Sequence, residues 1–466
     1  MPGPNSPYAY ATSLQAEQAL ALRLNDVNNT RWSKVENNLY IAEALRFYNC
    51  LTQTWIEDWA ATYTQPAAAP FLPPWQSLGN SINTLLGANP TSPRYQTLDD
   101  SYCYTVAQYH LLEPPKGNAA WSGTSQFSLA DFTQALQRRR DAILQATACN
   151  VGPFSNSFSL TPGTNRAQLP DGTAQSILDV RRIRFLPATG LGSPSTLYRD
   201  DGMAFEFFEN SYEQNTGIPF AWDVLASPSI SLTFDAMAAV PNNLDILAML
   251  SGGVITPPTA SLLLMPDDWS WALKFGMLAD LLSKEEESTD VARAKYCEQR
   301  FQEGLKLMVE MPWMTQARIN NVPVDTPSVA EADTFDYEWQ SNPNAQTEIV
   351  RGGIDLFAVS PTIPPSAQVG VLLSLVANAP IPATDGAFIQ VSRDVLDTIL
   401  DEAQHLAMFK EGGSAFQQTL PLHQNFIRSA VETNRRLKES GIFESVLRPP
   451  VSRQEEAMPR FSEATK

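Results

Sequence analysis

The sequence predicts an α+β fold, a helical bundle with inserted antiparallel β blocks that is partly duplicated. Three observations predict it. The hydrophobic period is three to four residues up to about residue 150, gives way to short β-rich segments punctuated by Pro, Gly and Asn, and then turns helical again. Hydrophobic residues make up 43% and aromatics 10% of 466 residues, globular values that suffice for two to three ordinary cores. The segment MPDDWSWALKFGMLADLLSKEEE (Met265–Glu287) is loosely restated 126 positions later as VSRDVLDTILDEAQHLAMFKEGG (Val391–Gly413), so that Asp268 falls on Asp394, Leu273 on Ile399 and Lys284-Glu285 on Lys410-Glu411. Each copy follows a strand-like stretch (VLASPSISLTF from Val224, LFAVSPTIPPS from Leu356) and leads into another helix with an aromatic, Phe301 or Phe426.

Residues 12–64 read as helix. Ser13 is placed to cap a first segment, which breaks at the NDVNNT turn. In WSKVENNLYIAEALRFYNCLTQTWIEDW, Ser33 caps a second segment and Glu36 completes a capping box. Val35, Leu39, Ala42, Leu45 and Cys50 form an apolar stripe whose period Trp55 and Trp59 extend. Residues 65–98 read as an irregular Pro/Ala/Asn-rich excursion and 99–112 as a short helix. Ser128–Ala148 reads as a Ser-capped helix whose Arg138–Arg140 run is a solvated face. FSNSFSLT, SILDVRRIRFLP, AFEFFENSY, AWDVLASPSISLTFDA and NLDILAML read as strands of an antiparallel sheet or small sandwich. Helices are expected at Asp267–Leu282 and Thr289–Val309, then a Pro-containing linker to about 333, a second β block to about 380, and helices at 392–410 and 421–439. The expected divisions are an N-terminal helical region (1–150), a β block plus helix pair (151–311), a second such unit as a partial repeat (312–440), and a flexible tail (441–466).

Little in the chain points to chemistry. The formal charge of −18 argues against a grip on nucleic-acid phosphates, which needs clustered Lys and Arg. Cys50, Cys103, Cys149 and Cys297 are far apart with no CxxC, so reduced, buried thiols are expected rather than a zinc or redox site. MPGPNSPYAY does not read as a signal peptide, and no run of about 18 apolar residues suggests a membrane span. His110, His405 and His423 have no Cys, Ser or His at ligand or triad spacing, and HExxH, GxSxG and P-loop patterns are missing. The pairs Asp99-Asp100, Asp200-Asp201 and Asp267-Asp268 could divide acid and base roles as in glycosidases, but helix capping explains Asp267-Asp268. Trp75, Trp121, Trp222, Trp269, Trp271 and Trp339 are scattered over elements of every kind, which favours packing over sugar stacking. No cofactor is expected.

The opening LALRLNDVNNTRWSKVENNLYIAEALRFYNCLTQTW resembles the start of tailed-bacteriophage head–tail adaptor (connector) proteins: a helix, an Asp/Asn turn, a Trp-Ser cap and an amphipathic helix. MPDDWSWALKFGMLADLLSKEEESTDVARAKYCEQRFQEGLKLM and VSRDVLDTILDEAQHLAMFKEGGSAFQQTLPLHQNFIRSAVE are each similar to the ending of such proteins. On this resemblance residues 12–311 form one expanded adaptor and 334–440 a partial second copy, in a chain larger than adaptors usually are. The resemblance implies a structural protein of the virion's head–tail junction, made in the host cytoplasm. It further implies a homo-oligomeric ring, a dodecamer, docked on the portal protein and on tail or neck proteins. DNA would pass its lumen without specific binding, and no membrane is involved. An acidic wall would let phosphates slide; solubility alone would also explain the charge.

The expected partner contacts are Trp32, Tyr40, Phe47, Trp55 and Trp59 for neighbouring subunits, and Phe443, Leu447 and Arg448 of the tail for the portal. The alternatives are a carbohydrate-active hydrolase, which predicts two carboxylates converging in an aromatic-lined cleft, and a virion binding module.

Overall fold

The computed structural model describes residues 10–64, 76–77, 98–111, 127–154, 158–169, 177–188, 190–192, 194–208, 211–225, 230–256, 261–284, 290–311, 314–339, 342, 345–354, 356–360 and 368–439. The chain starts with α1 (Ser13–Arg23) and α2 (Lys34–Thr52). Thr12, not Ser13, caps α1, through a reciprocal pair of bonds with Gln15. In the turn that follows, the Asp26 carboxylate accepts the N–H groups of Thr30, Arg31 and Trp32 and the Thr30 hydroxyl. These donors, the Thr30 hydroxyl foremost, hold it well below the usual carboxylate range. Ser33 caps α2 by accepting from Glu36 N–H, but the expected return bond is missing because the Glu36 carboxylate turns inward to Tyr40 and Lys410.

Gln53, at φ 53°, ends α2, and the chain becomes extended as β1 (Ile56–Thr64). Trp55 and Trp59 therefore do not continue the helix. The segment IEDWAATYT alternates in the β manner, and a distant strand supplies its ladder. The short β2 (Gln76–Ser77) follows. Then come α3 (Asp100–Leu111) and α4 (Leu129–Thr147), the latter with a Ser128–Asp131 capping box.

The β block comprises β3 (Val151–Phe154), β4 (Arg166–Gln168), β5 (Ile177–Pro187), β6 (Ser195–Arg199), then α5 (Gly202–Phe208), and β7 (Thr216–Gly217), β8 (Ala221–Leu225), β9 (Ser231–Phe234), β10 (Met237–Ala238) and β11 (Asn242–Leu250). Seven of these strands form one sheet in the order β3-β11-β5-β6-β8-β9-β4. All its pairings are antiparallel except β6 with β8. Val180, Ile183, Phe185, Trp222, Phe234 and Ile246 fill its core. AFEFF, expected as strand, lies in α5, started by Asp201, whose side chain accepts from Met203 N–H.

A 3-10 turn, Asp267–Trp269, leads into α6 (Ser270–Leu282), in which every residue but Asp280 is buried. The next helix, α7 (Val291–Glu310), packs on α6 through two glycines. A Cβ at Gly276 would lie 2.6 Å from Phe301, and one at Gly304 would lie 2.6 Å from Ala272 and 2.9 Å from Trp271.

The expected linker carries structure: β12 (Met314–Ile319), β13 (Val322–Val324) and α8 (Val329–Phe335). Asn320 and Asn321, both at positive φ, close the β12–β13 hairpin. The chain ends, among the described residues, with β14 (Glu348–Arg351), β15 (Leu356–Ser360), β16 (Gln368–Val376), α9 (Arg393–Phe409), α10 (Gly413–Gln418) and α11 (Leu420–Glu439). The order β1-β16-β12-β13 makes a four-stranded antiparallel sheet that ties residues 56–64 to residues 368–376.

One hydrophobic core gathers the helices: residues of α1 to α4, α6, α7, α9 and α11 all belong to it. The sequence echo survives here as an apolar pattern. Leu273 and Ile399 are both fully buried, as are Phe301 and Phe426 to within 2%. The polar positions of the echo diverge, since Asp268 is buried and Asp394 exposed. Among the described residues no helix is long and apolar enough to cross a membrane. The fold is α+β.

Candidate functional site

Helix α2 runs through the common core, and its buried polar side chains each meet a different part of the chain. Glu36 pairs with Lys410 at 3.1 Å. Glu43 pairs with Lys274, whose ammonium also reaches His110 Nε2 at 3.3 Å. Arg46 lies 5.0 Å over the Tyr102 ring, and Asn49 donates to the Asp268 carboxylate (2.6 Å) and the Ala377 carbonyl (2.7 Å). Asp268 also accepts Ala379 N–H, while Asp267 accepts Leu98 N–H. The aspartate pair is thus not a local helix cap. It clasps α2 and two distant loops to the start of α6. Burial raises Asp268 to about 7, against the donors that face it.

A second polar group joins α7, α9 and α11. The Arg300 guanidinium lies within 4.6–5.3 Å of the Phe47, Trp271 and Phe275 ring centroids. Arg300 can only donate, so His423 accepts through Nε2 at 2.9 Å and donates through Nδ1 to Glu402 at 2.7 Å. Burial would raise Glu402, but the His423 imidazole and the Arg300 guanidinium outweigh it and take the carboxyl down to about 2. His405 contacts Thr419 (2.9 Å) and Tyr296 (2.8 Å), and burial lowers it to about 3.

The sign of the pH effect follows. Below pH 6.5 the unfolded chain protonates His405 while the folded chain does not, so stability is lost as pH falls from 6.5 towards 3. Glu402 adds a loss below its unfolded value of 4.5, through about 2. Asp268, raised to about 7, works in the opposite direction over part of this range, so the diagnostic is the difference between proteins: as pH falls from 6.5 towards 3, the melting temperature of the parent is expected to drop relative to that of His405→Gln. Identical pH profiles for the two proteins would contradict the assignment.

Of the residues expected at subunit contacts, Trp32, Tyr40, Phe47 and Trp59 are buried within the chain itself. Trp32 donates to the Ala407 carbonyl at 3.2 Å, Tyr40 donates to Glu36, and the Phe47 ring packs at a tilt against Trp271 with centroids 4.4 Å apart, all inside the helical core. Trp59 is buried in the core of the four-stranded sheet, and Trp55 is half-buried beside Tyr48. The physical reason is that α2 is covered on its polar side as well, by cations from α6 and α9. The face carrying Val35, 61% exposed, is the more open one. Phe443, Leu447 and Arg448, like Trp75 and Trp121, lie outside the described residues. Trp222, Trp269, Trp271 and Trp339 are all buried, as packing requires. The Arg138–Arg140 run is not one solvated face: Arg138 and Arg139 pair with Asp280, and the buried Arg140 donates to the Gly252 and Gly253 carbonyls.

Concave surface occurs elsewhere. A cleft of about 640 Å³ lies between the β5–β6–β8 face of the large sheet and α8. Tyr198 and Tyr337 stack on its wall, centroids 3.8 Å apart, and Trp222 lines it. This is an aromatic cleft of the sort a hydrolase would need, but it does not hold the two converging carboxylates that reading requires. Among the described residues Asp333 is its one lining carboxylate, engaged by Arg182 (2.9 Å) and Trp339 Nε1 (2.9 Å). Four arginines, Arg181, Arg182, Arg199 and Arg351, line it as well. Sequence reasoning missed the cleft, although SILDVRRIRF carried a signal: arginines alternating along a strand with apolar residues.

Residues 105–327 match the model of a family described as SU10 adaptor protein. The match runs from within α3 to the end of the β12–β13 hairpin, taking in α4, the seven-stranded sheet and the interlocked α6–α7 pair. It includes the first of the two adaptor-like endings; the opening helices and the second ending lie outside it. No curated protein matches this chain. Over residues 105–327, just under half of its length, the chain is similar to the SU10 adaptor protein family, a likeness that supports an adaptor-type structural protein of a phage.

Proposed function

We propose that the protein is a head–tail adaptor that assembles as a ring between the portal and the tail, with DNA passing through the ring, and that its role is structural rather than enzymatic. The observation that carries this reading is the adaptor-family match over residues 105–327. Two further features support it. The charge of −18 suits a lumen wall that repels phosphates. The buried pairs that tie α2 to α6 and α9 suit a subunit that must keep one shape under load. The tail from Gly441 is the proposed portal contact, as a polar, Pro-punctuated segment that orders on binding. Co-sedimentation with the portal rings of the same phage tests the proposal. The full chain should sediment with the portal, and a chain lacking residues 441–466 should lose most of that attachment. Undiminished attachment would remove the tail from the account, and no attachment of the full chain would remove the portal.

A further inference from the structure

The arginine cleft is not explained by folding alone. Among the described residues four guanidinium groups from three elements line it, Arg181 and Arg182 of β5, Arg199 of β6 and Arg351 of β14, against the single carboxylate of Asp333. Arg182 is balanced by Asp333 at 2.9 Å and Arg199 by Asp179 at 3.3 Å. Arg181 is exposed and makes no ion pair or hydrogen bond among the described residues. Arg351 has its Nε buried without a hydrogen-bond partner among the described residues. Burial lowers its pKa, and Glu331 offsets this only in part. Neither Arg181 nor Arg351 is thus held by an ion pair among the described residues, in one concavity of a chain whose net charge is −18.

Gathering like charges on a low-dielectric wall is unfavourable unless an anion completes the site. Guanidinium forks match carboxylates in bidentate geometry. The aromatic wall adds a second requirement. Tyr198 is 52% exposed, and the neighbouring Phe220, whose carbonyl accepts from Tyr198 N–H, is 66% exposed. A ligand that fills the cleft thus brings carboxylates for the arginines and a flat or apolar group for Tyr198.

We propose that this cleft binds a short extended protein segment of an assembly partner, carrying two carboxylate side chains and an aromatic or proline residue between or beside them. A nucleic acid fits less well. A duplex needs an open strip of cations, whereas here the charges sit in a concavity of ligand size. The site is complete in one subunit, so the inference is tested independently of any ring.

Fluorescein-labelled octapeptides with two glutamates, one to four residues apart, and a central Pro-Tyr are titrated into the full-length protein, read by anisotropy, alongside the same peptides with glutamine. At least one glutamate peptide should bind. Binding should weaken tenfold or more in Arg181→Glu and in Arg351→Met, and the glutamine peptides should bind at least tenfold more weakly. Arg181 is exposed and has no partner to lose among the described residues, so Arg181→Glu should melt like the parent and report on binding alone. No binding by any glutamate peptide, equal binding by the glutamine set, or unchanged affinity in Arg181→Glu would overturn the proposal. Preferential displacement of the peptide by inorganic phosphate or by a DNA duplex would overturn it too, in favour of a phosphate ligand.

Discussion

Lys274→Met is expected to destabilise the protein by about 3–5 kcal/mol, and adding Glu43→Leu to the same chain is expected to restore most of that loss. Both side chains are fully buried, Lys274 at 0% and Glu43 at 2% exposure. Burial pushes Lys274 down and Glu43 up, against the mutual attraction that keeps them charged. Lys274→Met leaves the Glu43 carboxylate uncompensated in the core and also removes the ammonium's contact with the Phe275 ring, 4.1 Å away. Removing both leaves an apolar contact between α2 and α6 of similar volume. His110 would lose only a 3.3 Å neighbour, because burial keeps its imidazole neutral at ordinary pH. Urea unfolding of the single and double variants measures the difference. A single-variant loss under about 1 kcal/mol would mean that water reaches the pair.

Gly304→Val is expected to cost about 3 kcal/mol or more, and Gly304→Ala about 1–3 kcal/mol. The sign is the diagnostic part. At an exposed helix position, replacing Gly by Ala stabilises by about 1 kcal/mol through backbone entropy. Gly304 instead sits where Ala272 and Trp271 of α6 touch the α7 backbone, and Gly276 receives Phe301 in return. Phe301 is itself held from the far side by the Arg139 guanidinium, 4.8 Å from its ring. An added methyl therefore has to separate two helices on whose packing Arg300 and its aromatic neighbours depend. Thermal melting of Gly304→Ala decides the matter, and a melting temperature above the parent's would contradict the interlock.

Several elements were legible in the sequence because their signals are local. The Ser128 capping box and the apolar period place α4 to within a residue, and Asn320-Asn321 in RINNVPV marks a hairpin that the sequence reading passed over as linker. The change of period near residue 150 correctly announces the large sheet. What was not legible depends on partners far along the chain. Glu36 reads as half of a capping box until Lys410, 374 positions away, takes its carboxylate. Asp267-Asp268 reads as a helix start until Leu98, Asn49 and Ala379 are brought to it. WIEDW reads as a helical continuation until the ladder of β16 converts it to strand.

The burial of Trp32, Tyr40 and Phe47 within the chain was hidden for the same reason. Large aromatics at helical spacing look like an interface when nothing in the local sequence shows that the opposite, polar face of α2 is buried as well. The cleft was hidden because Arg182 and Arg351, 169 positions apart, reveal a site only once β14 is laid beside the large sheet.

The central claim is that the chain is a ring-forming adaptor subunit. Native mass spectrometry of the purified protein at micromolar concentration, with and without the portal of its phage and with negative-stain images of the same samples, tests it most directly. The account predicts a discrete multiple of the 51.4 kDa subunit, a dodecamer being the expected one, and annular particles with an open centre. A 51.4 kDa monomer in both samples, with no annuli, would contradict it.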